Sequence, residues 1–219
     1  MPPKCRFTRE EIVDAALDIV RRDGIDHLTA RALGTALGTS AKPIFGQFDN
    51  MKAVKSAVHS AAEALYCRYL NEGLKQEIPF LGFGIQYIRF AREEPELYKF
   101  LFLTVSDDVA AGAAAELRFS QKLIRESICR IYSIEAPAAD RFVRDMWLVA
   151  HSIATLIVTG CCPYSNEEIR KILTGFSISL CKALKEIPGF SDGSFDRDAL
   201  FADLIERNKN PLYKQFYNE

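Results

Sequence analysis

Apolar residues return every three or four positions along almost the whole chain, and nowhere do they alternate as a half-buried strand requires. This periodicity restricts the chain to helices packed on helices and makes an α/β enzyme fold improbable. Two capping boxes punctuate it, Thr8-Arg9-Glu10-Glu11 and Ser165-Asn166-Glu167-Glu168, in which a hydroxyl meets the third amide of a helix and a carboxylate reaches back. The first opens a helix over 8–22, with Ile12, Ala16, Ile19 and Val20 on one face, and Gly24 stops it. Thr29 caps a second helix to Ala36, stopped by Gly38, and Ser40 is the better cap for a third that ends near Phe48, with Pro43 in its first turn. Asp49 and Asn50 open a longer helix to about Leu70. Phe80 to Glu94, Pro95 to about Phe102, Leu117 to Ile131, Pro137 to Gly160 and Ser165 to Leu184 complete the helical body. Residues 107–116, small and acidic, read as a loop, and 190–219 as an extension whose centre, 196–207, pairs Leu200 with Leu204 and Phe201 with Ile205 and is expected to dock on the body.

Composition narrows the function classes. The chain has 219 residues, enough for a sizeable core, and 28 Lys and Arg against 29 Asp and Glu, so any nucleic-acid contact must come from a local patch. Residues 1–60 hold nine basic and seven acidic side chains, an asymmetry of the right sign but modest size, which predicts weak non-specific DNA affinity and a shallow salt dependence. The six cysteines show no C-x-x-C spacing, and His27, His59 and His151 no H-E-x-x-H pattern, so neither a metal nor another cofactor is expected. The opening residues lack an apolar signal region, which makes the cytoplasm the expected compartment. Residues 146–164 carry no Lys, Arg, Asp or Glu but read as a buried helix rather than a membrane span. Gly189-Phe190-Ser191-Asp192-Gly193 matches G-x-S-x-G, yet a helix and Pro188 precede it where a nucleophile elbow needs a strand, so no catalytic residue is assigned.

A capped helix, a short helix, a Gly-containing turn, a second short helix and a long helix make up a helix-turn-helix order. Leu33, Leu37, Ile44 and Phe48 can pack on Ile12, Ala16 and Ile19, which leaves Ser40, Ala41 and Lys42 at an exposed helix tip suited to phosphate or base edges.

At these residues the chain resembles the TetR-type (tetracycline-repressor-like) transcriptional regulators. The resemblance lies in Thr8 to Leu17, Gly24, Leu28 to Leu33, Leu37-Gly38-Thr39-Ser40 and Ile44 to Asn50, and more loosely in Tyr87 to Tyr98. It implies an all-α fold in which residues 1–60 form a three-helix helix-turn-helix domain. Residues 61–189 would form a larger helical ligand-binding and dimerisation domain, and 190–219 a helical extension. It further implies a homodimer, usually a repressor, that reads palindromic double-stranded operator DNA and is released by a small-molecule effector, with no membrane partner. Carried over by position, Thr29 and Arg31 would meet phosphates, Ser40, Ala41 and Lys42 would approach bases, and Gln47 and Lys52 would contact phosphates. Phe45 stands in the same set, but where the family usually has Tyr; Gln47 replaces a common His, Met51 a common Lys, and Gly34 a usual Ala.

For the effector, Phe83, Tyr87, Phe90, Tyr98, Phe102, Phe119, Trp147 and His151 could line a cavity between helices, or simply fill the core. No acidic cluster in the sequence points to a cationic ligand. For the dimer, Leu148, Ile153, Leu156 and Ile157 on one helix and Ile172, Phe176 and Leu180 on another offer more apolar surface than one core needs, which suits a four-helix interface. Two other classes stay open: a helical interaction or ligand-binding module without operator DNA, and a helical-bundle enzyme, which would need a convergent polar constellation.

Overall fold

The computed structural model describes residues 7–104 and 112–207, with the side chains of Leu204, Glu206 and Arg207 excepted. Every regular element among them is helical: α1 (Arg9–Asp23), α2 (Ala30–Ala36), α3 (Met51–Leu74), α4 (Pro79–Glu93), α5 (Pro95–Tyr98), α6 (Ala113–Tyr132), α7 (Ala136–Val158), α8 (Asn166–Glu186) and α9 (Arg197–Arg207). Both capping boxes form. Thr8 accepts from the Glu11 amide while Glu11 reaches back to the Thr8 amide, and Ser165 and Glu168 repeat the exchange at α8. Thr29 and Asn50 cap α2 and α3 through the amides of Ala32 and Ala53.

The third helix expected from Ser40 to Phe48 is not an α-helix. It is a run of tight turns with one 3₁₀ turn, Ile44–Gly46, closed by Ile44 N–H to Ala41, Gly46 N–H to Pro43 and Gln47 N–H to Ile44. The reason is Pro43: a Ser40 cap needs an amide at the third residue on, and proline has none. Two other boundaries move. α3 runs one turn past Leu70, and α6 starts at Ala113, inside the stretch read as loop, because Glu116 is buried on its inner face. Residues 107–111 of that stretch lie outside the described residues.

No linker separates head from body, because α3 belongs to both. Its buried side chains from Val54 to Leu70 fall four apart, Val54, Val58, Ala62, Tyr66 and Leu70. Each such step turns the face by about 40°, so over four steps the buried side swings through roughly 160°. One end therefore closes the head over Ile12, Ala16, Leu33 and Ile44, while the other packs in the body, and the buried side chains of both join in one cluster. At its far end α3 crosses α4 so closely that a Cβ on Gly73 would lie 2.5 Å from the Gly82 carbonyl oxygen. α7 is the body's central helix, buried from Ala138 to Val158 and flanked by α4, α6 and α8. No helix among the described residues is long and apolar enough to cross a membrane.

α8 buries only Ile169 and Leu173. Beyond them Phe176 and Ile178 are more than half exposed, and on α7 Leu148 is 50% and Leu156 37% exposed. Ile157, Ile172 and Leu180 are half-buried. Ile153 differs from its proposed companions: it is 5% exposed and faces the protomer's own core. The extension meets the body at Phe190, whose carbonyl accepts from Arg141 and whose ring lies 4.3 Å beneath that guanidinium. The expected docking of α9 by its apolar stripe is not seen at Phe201 or Ile205, which are 57% and 47% exposed.

Candidate functional site

The head presents its candidate contact residues around the turn that follows α2. Gly38 takes a φ of 63°, the left-handed conformation that lets the chain reverse there. The Thr39 amide then folds back onto the Gly34 carbonyl at 2.8 Å. A Cβ on Gly34 would stand 2.9 Å from the Thr39 carbonyl oxygen and 3.3 Å from the Ala41 nitrogen, so glycine is what allows the turn to sit against α2. The helix-propensity cost of this glycine, about 1 kcal/mol, has a structural return in that close approach.

Ser40 and Lys42 are exposed at the turn and Ala41 is half-buried against the core. Thr29, Arg31, Phe45 and Lys52 are exposed as well. Gln47 is tied inward: its side-chain amide donates to the Phe7 carbonyl, while its own carbonyl accepts from Arg9, whose guanidinium lies 4.1 Å over the Phe48 ring. The head's basic residues thus divide. Arg21 and Arg22 are paired with Glu94 and Asp23, whereas Arg31, Lys42, Lys52 and the half-buried Lys55 make no ion pair among the described residues, and the first three of these are exposed. Lys4 and Arg6 lie outside the described residues.

The eight residues considered for an effector do not converge on one cavity. Phe83, Tyr87 and Trp147 surround a space of about 30 Å³, room for one water, and Phe90 and Tyr98 are wholly buried. Phe102 and Phe119 instead line a cavity of about 520 Å³ between α3, α6 and the turn of π-helix Lys99–Leu103. His151 lines neither. Its Nδ1 lies within hydrogen-bond distance of the phenol oxygens of Tyr87 and Tyr98, at 2.8 and 2.9 Å, and its ring stacks on Trp147 at 4.6 Å. Burial holds both phenols above their ordinary range and the imidazole below its own, which favours neutral phenols beside a neutral ring.

Sequence reasoning missed the larger cavity's polar floor. Glu116, 5% exposed, accepts from the Tyr66 phenol, 50 positions away, and from the Ser120 hydroxyl at 2.7 Å. The available signal was the stripe Glu116, Ser120, Ile124 and Ile128, in which two polar residues continue a buried face at four-residue spacing. Burial raises the Glu116 carboxyl above the usual carboxylate range, against the lowering effect of Tyr66 and Ser120. A carboxyl raised on folding stabilises the protein in its protonated form, fully below the ordinary glutamate value, and that contribution is lost as pH rises through the folded value. Thermal unfolding between pH 4 and 8 is therefore expected to show wild type losing stability toward neutrality relative to Glu116→Gln. Parallel profiles would contradict the buried, raised carboxyl.

Among the described residues no group of three or more His, Cys, Asp or Glu could hold a metal ion. Comparison with known proteins gives two findings. No family model matches the chain. The chain is 25% identical over 159 residues to an uncharacterized HTH-type transcriptional regulator of Mycobacterium tuberculosis, Rv0681, an alignment covering 71% of this chain and 72% of that protein.

Proposed function

We propose that this chain is a transcription regulator of the TetR type. It acts as a homodimer that holds the two Ser40–Lys42 turns against successive major grooves of a palindromic operator and is released by a small molecule bound in its helical body. The observation that carries the reading is the outward turn after α2, with Ser40 and Lys42 exposed and Gly34 making room for it. The likeness to an HTH-type regulator over more than two thirds of both chains supports the same class.

Within this reading each part has a physical role. Thr29 and Arg31 approach phosphates at the start of α2, where the free amides of the helix also favour an anion. Ser40 and Lys42 face base edges, Ala41 packs the turn onto the head, and Lys52 meets a phosphate at the start of α3. Phe45 offers an apolar surface without a hydroxyl, and Gln47, already bonded to Phe7, braces the turn rather than reaching out. Leu148 and Leu156 on α7 with Phe176 on α8 form the self-complementary face, and Ile153, buried in its own protomer, falls outside it. An effector need favour the DNA-incompetent spacing of the heads by only 1 to 3 kcal/mol to weaken operator binding about five- to 150-fold.

The test is selection of duplex DNA from a random library by the full chain. A palindromic site is expected. With three exposed cations around the turn of each head, Arg31, Lys42 and Lys52, meeting the duplex, the dimer releases about six counterions, a log-log salt slope of about −5. Enrichment of no sequence, or a slope of −10 or steeper, contradicts the proposal.

A further inference from the structure

The cavity of about 520 Å³ between α3 and α6 has a consistent chemistry that the fold assembles from distant parts of the chain. Tyr66, Phe102 and Phe119 supply aromatic walls, with Tyr66 and Phe102 edge to face at 5.1 Å. Glu116 lies at its floor, and Glu63, with its side chain 57% exposed, at its rim, where His59 stands 3.5 Å away. No lysine or arginine among the described residues lines it. A buried carboxylate beneath aromatic faces, with no lysine or arginine among the described residues lining the same space, is an environment in which a neutral or anionic guest gains little and a cationic one gains both ion pairing and ring contacts.

We propose that this cavity binds an organic ammonium ion with an apolar body, its cationic head toward the Glu116 carboxylate, beside the packed rings of Tyr66 and Phe102, and its body against Phe119 and Leu101. This deepens the regulator reading and rests on it, since it names the chemical class of the effector. Size agrees, because 520 Å³ falls within the range of cavities that enclose small molecules. Ion pairing also relieves the cost of ionising Glu116, which its burial otherwise opposes. Tyr66 and Ser120 hold the carboxylate in place, so the acceptor is fixed before the guest arrives.

The test is calorimetric titration of the full chain, without DNA, with 4-phenylbutyltrimethylammonium, 4-phenylbutanol and 4-phenylbutyrate, a series that keeps the body and changes the head. The expected result is one site per protomer, the cation bound about ten-fold or more tighter than the alcohol, and the carboxylate weakest. In Glu116→Gln the cation is expected to fall to the alcohol's affinity, while the alcohol is unchanged. If that variant fails a melting check, Glu63→Gln with Phe119→Leu, both at partly exposed positions, replaces it and is expected to cut the cation's advantage at least three-fold. Equal binding of the three probes, no binding of any, or an advantage that survives these substitutions overturns the proposal. Operator selection is measured separately. A chain that binds an operator but shows no preference for the cation sinks this inference alone, and one that prefers the cation but selects no operator sinks the regulator reading.

Discussion

Replacing Gly82 by alanine is expected to destabilise the protein by about 2–3 kcal/mol and lower its melting temperature by roughly 5–10 °C. Alanine in a helix interior ordinarily gains up to about 1 kcal/mol over glycine, so propensity alone predicts the opposite sign. Packing decides the matter. α3 and α4 meet backbone to backbone at Gly73 and Gly82, and a Cβ on Gly73 would stand 2.5 Å from the Gly82 carbonyl oxygen, 2.6 Å from its carbon and 2.7 Å from the Phe83 nitrogen. A Cβ on Gly82 would meet the Gly73 carbonyl oxygen in turn. Neither partner is a flexible side chain, so a helix must move, and with it Phe83 and Phe80, which line the body's core. Thermal unfolding of Gly82→Ala and Gly73→Ala checks this; a raised melting temperature in either would show that the two helices are not in such contact.

The second large effect is at the junction of head and body. Arg21 near the end of α1 donates through Nε to Glu94 Oε2 at 2.8 Å and through Nη2 to Oε1 at 2.5 Å, a bidentate pair spanning 73 positions. The members are unequally placed, with side chains 44% exposed for Arg21 and 7% for Glu94. Removing the buried carboxylate leaves an arginine that can turn to water, whereas removing the arginine strands a charge inside. Arg21→Ala is therefore expected to cost about 2–3 kcal/mol and Glu94→Gln about 1 kcal/mol, below the range for a fully buried pair because one partner reaches solvent. Chemical denaturation of both single variants and the double variant measures the difference. Equal losses, or a larger loss for Glu94→Gln, would contradict the burial order.

What could be read from the sequence depended on how local the physics was. Caps at Thr8, Thr29, Asn50 and Ser165 act over three residues, and all four form as their local pattern implies. The helix from Ser40 failed on an equally local point, the missing amide of Pro43. Gly34 read only as a replacement for a usual Ala, because its value lies in a contact with residues 39–41 that exists only after the chain turns at Gly38. The cavity was the least legible part. Aromatic residues mark buried faces but not which face, so Phe83, Phe90 and Tyr98 fill the core while Phe102 and Phe119 line a space. The pairing of Glu116 with Tyr66, and the presence of Glu63 at the same cavity, are products of how α3 and α6 pack, and no spacing within either helix announces them.

The distribution of charge also became meaningful only in three dimensions. Counted along the first sixty residues, the basic excess is small. In the fold Arg21 and Arg22 are spent on Glu94 and Asp23, and Arg9 lies over Phe48, which leaves Arg31, Lys42 and Lys52 as the exposed cations around the turn. Few phosphate contacts and a defined turn together favour discrimination by base edges over affinity for any duplex.

Hydroxyl-radical footprinting of the full chain on its selected operator is expected to show two protected patches on one face of the duplex, with major-groove centres about one helical turn or a whole multiple of it apart. Protection should be symmetric about the palindrome and lost for Lys42→Ala with Ser40→Ala at an unchanged melting temperature. A single patch, two patches on opposite faces, or a footprint indifferent to those substitutions would contradict it.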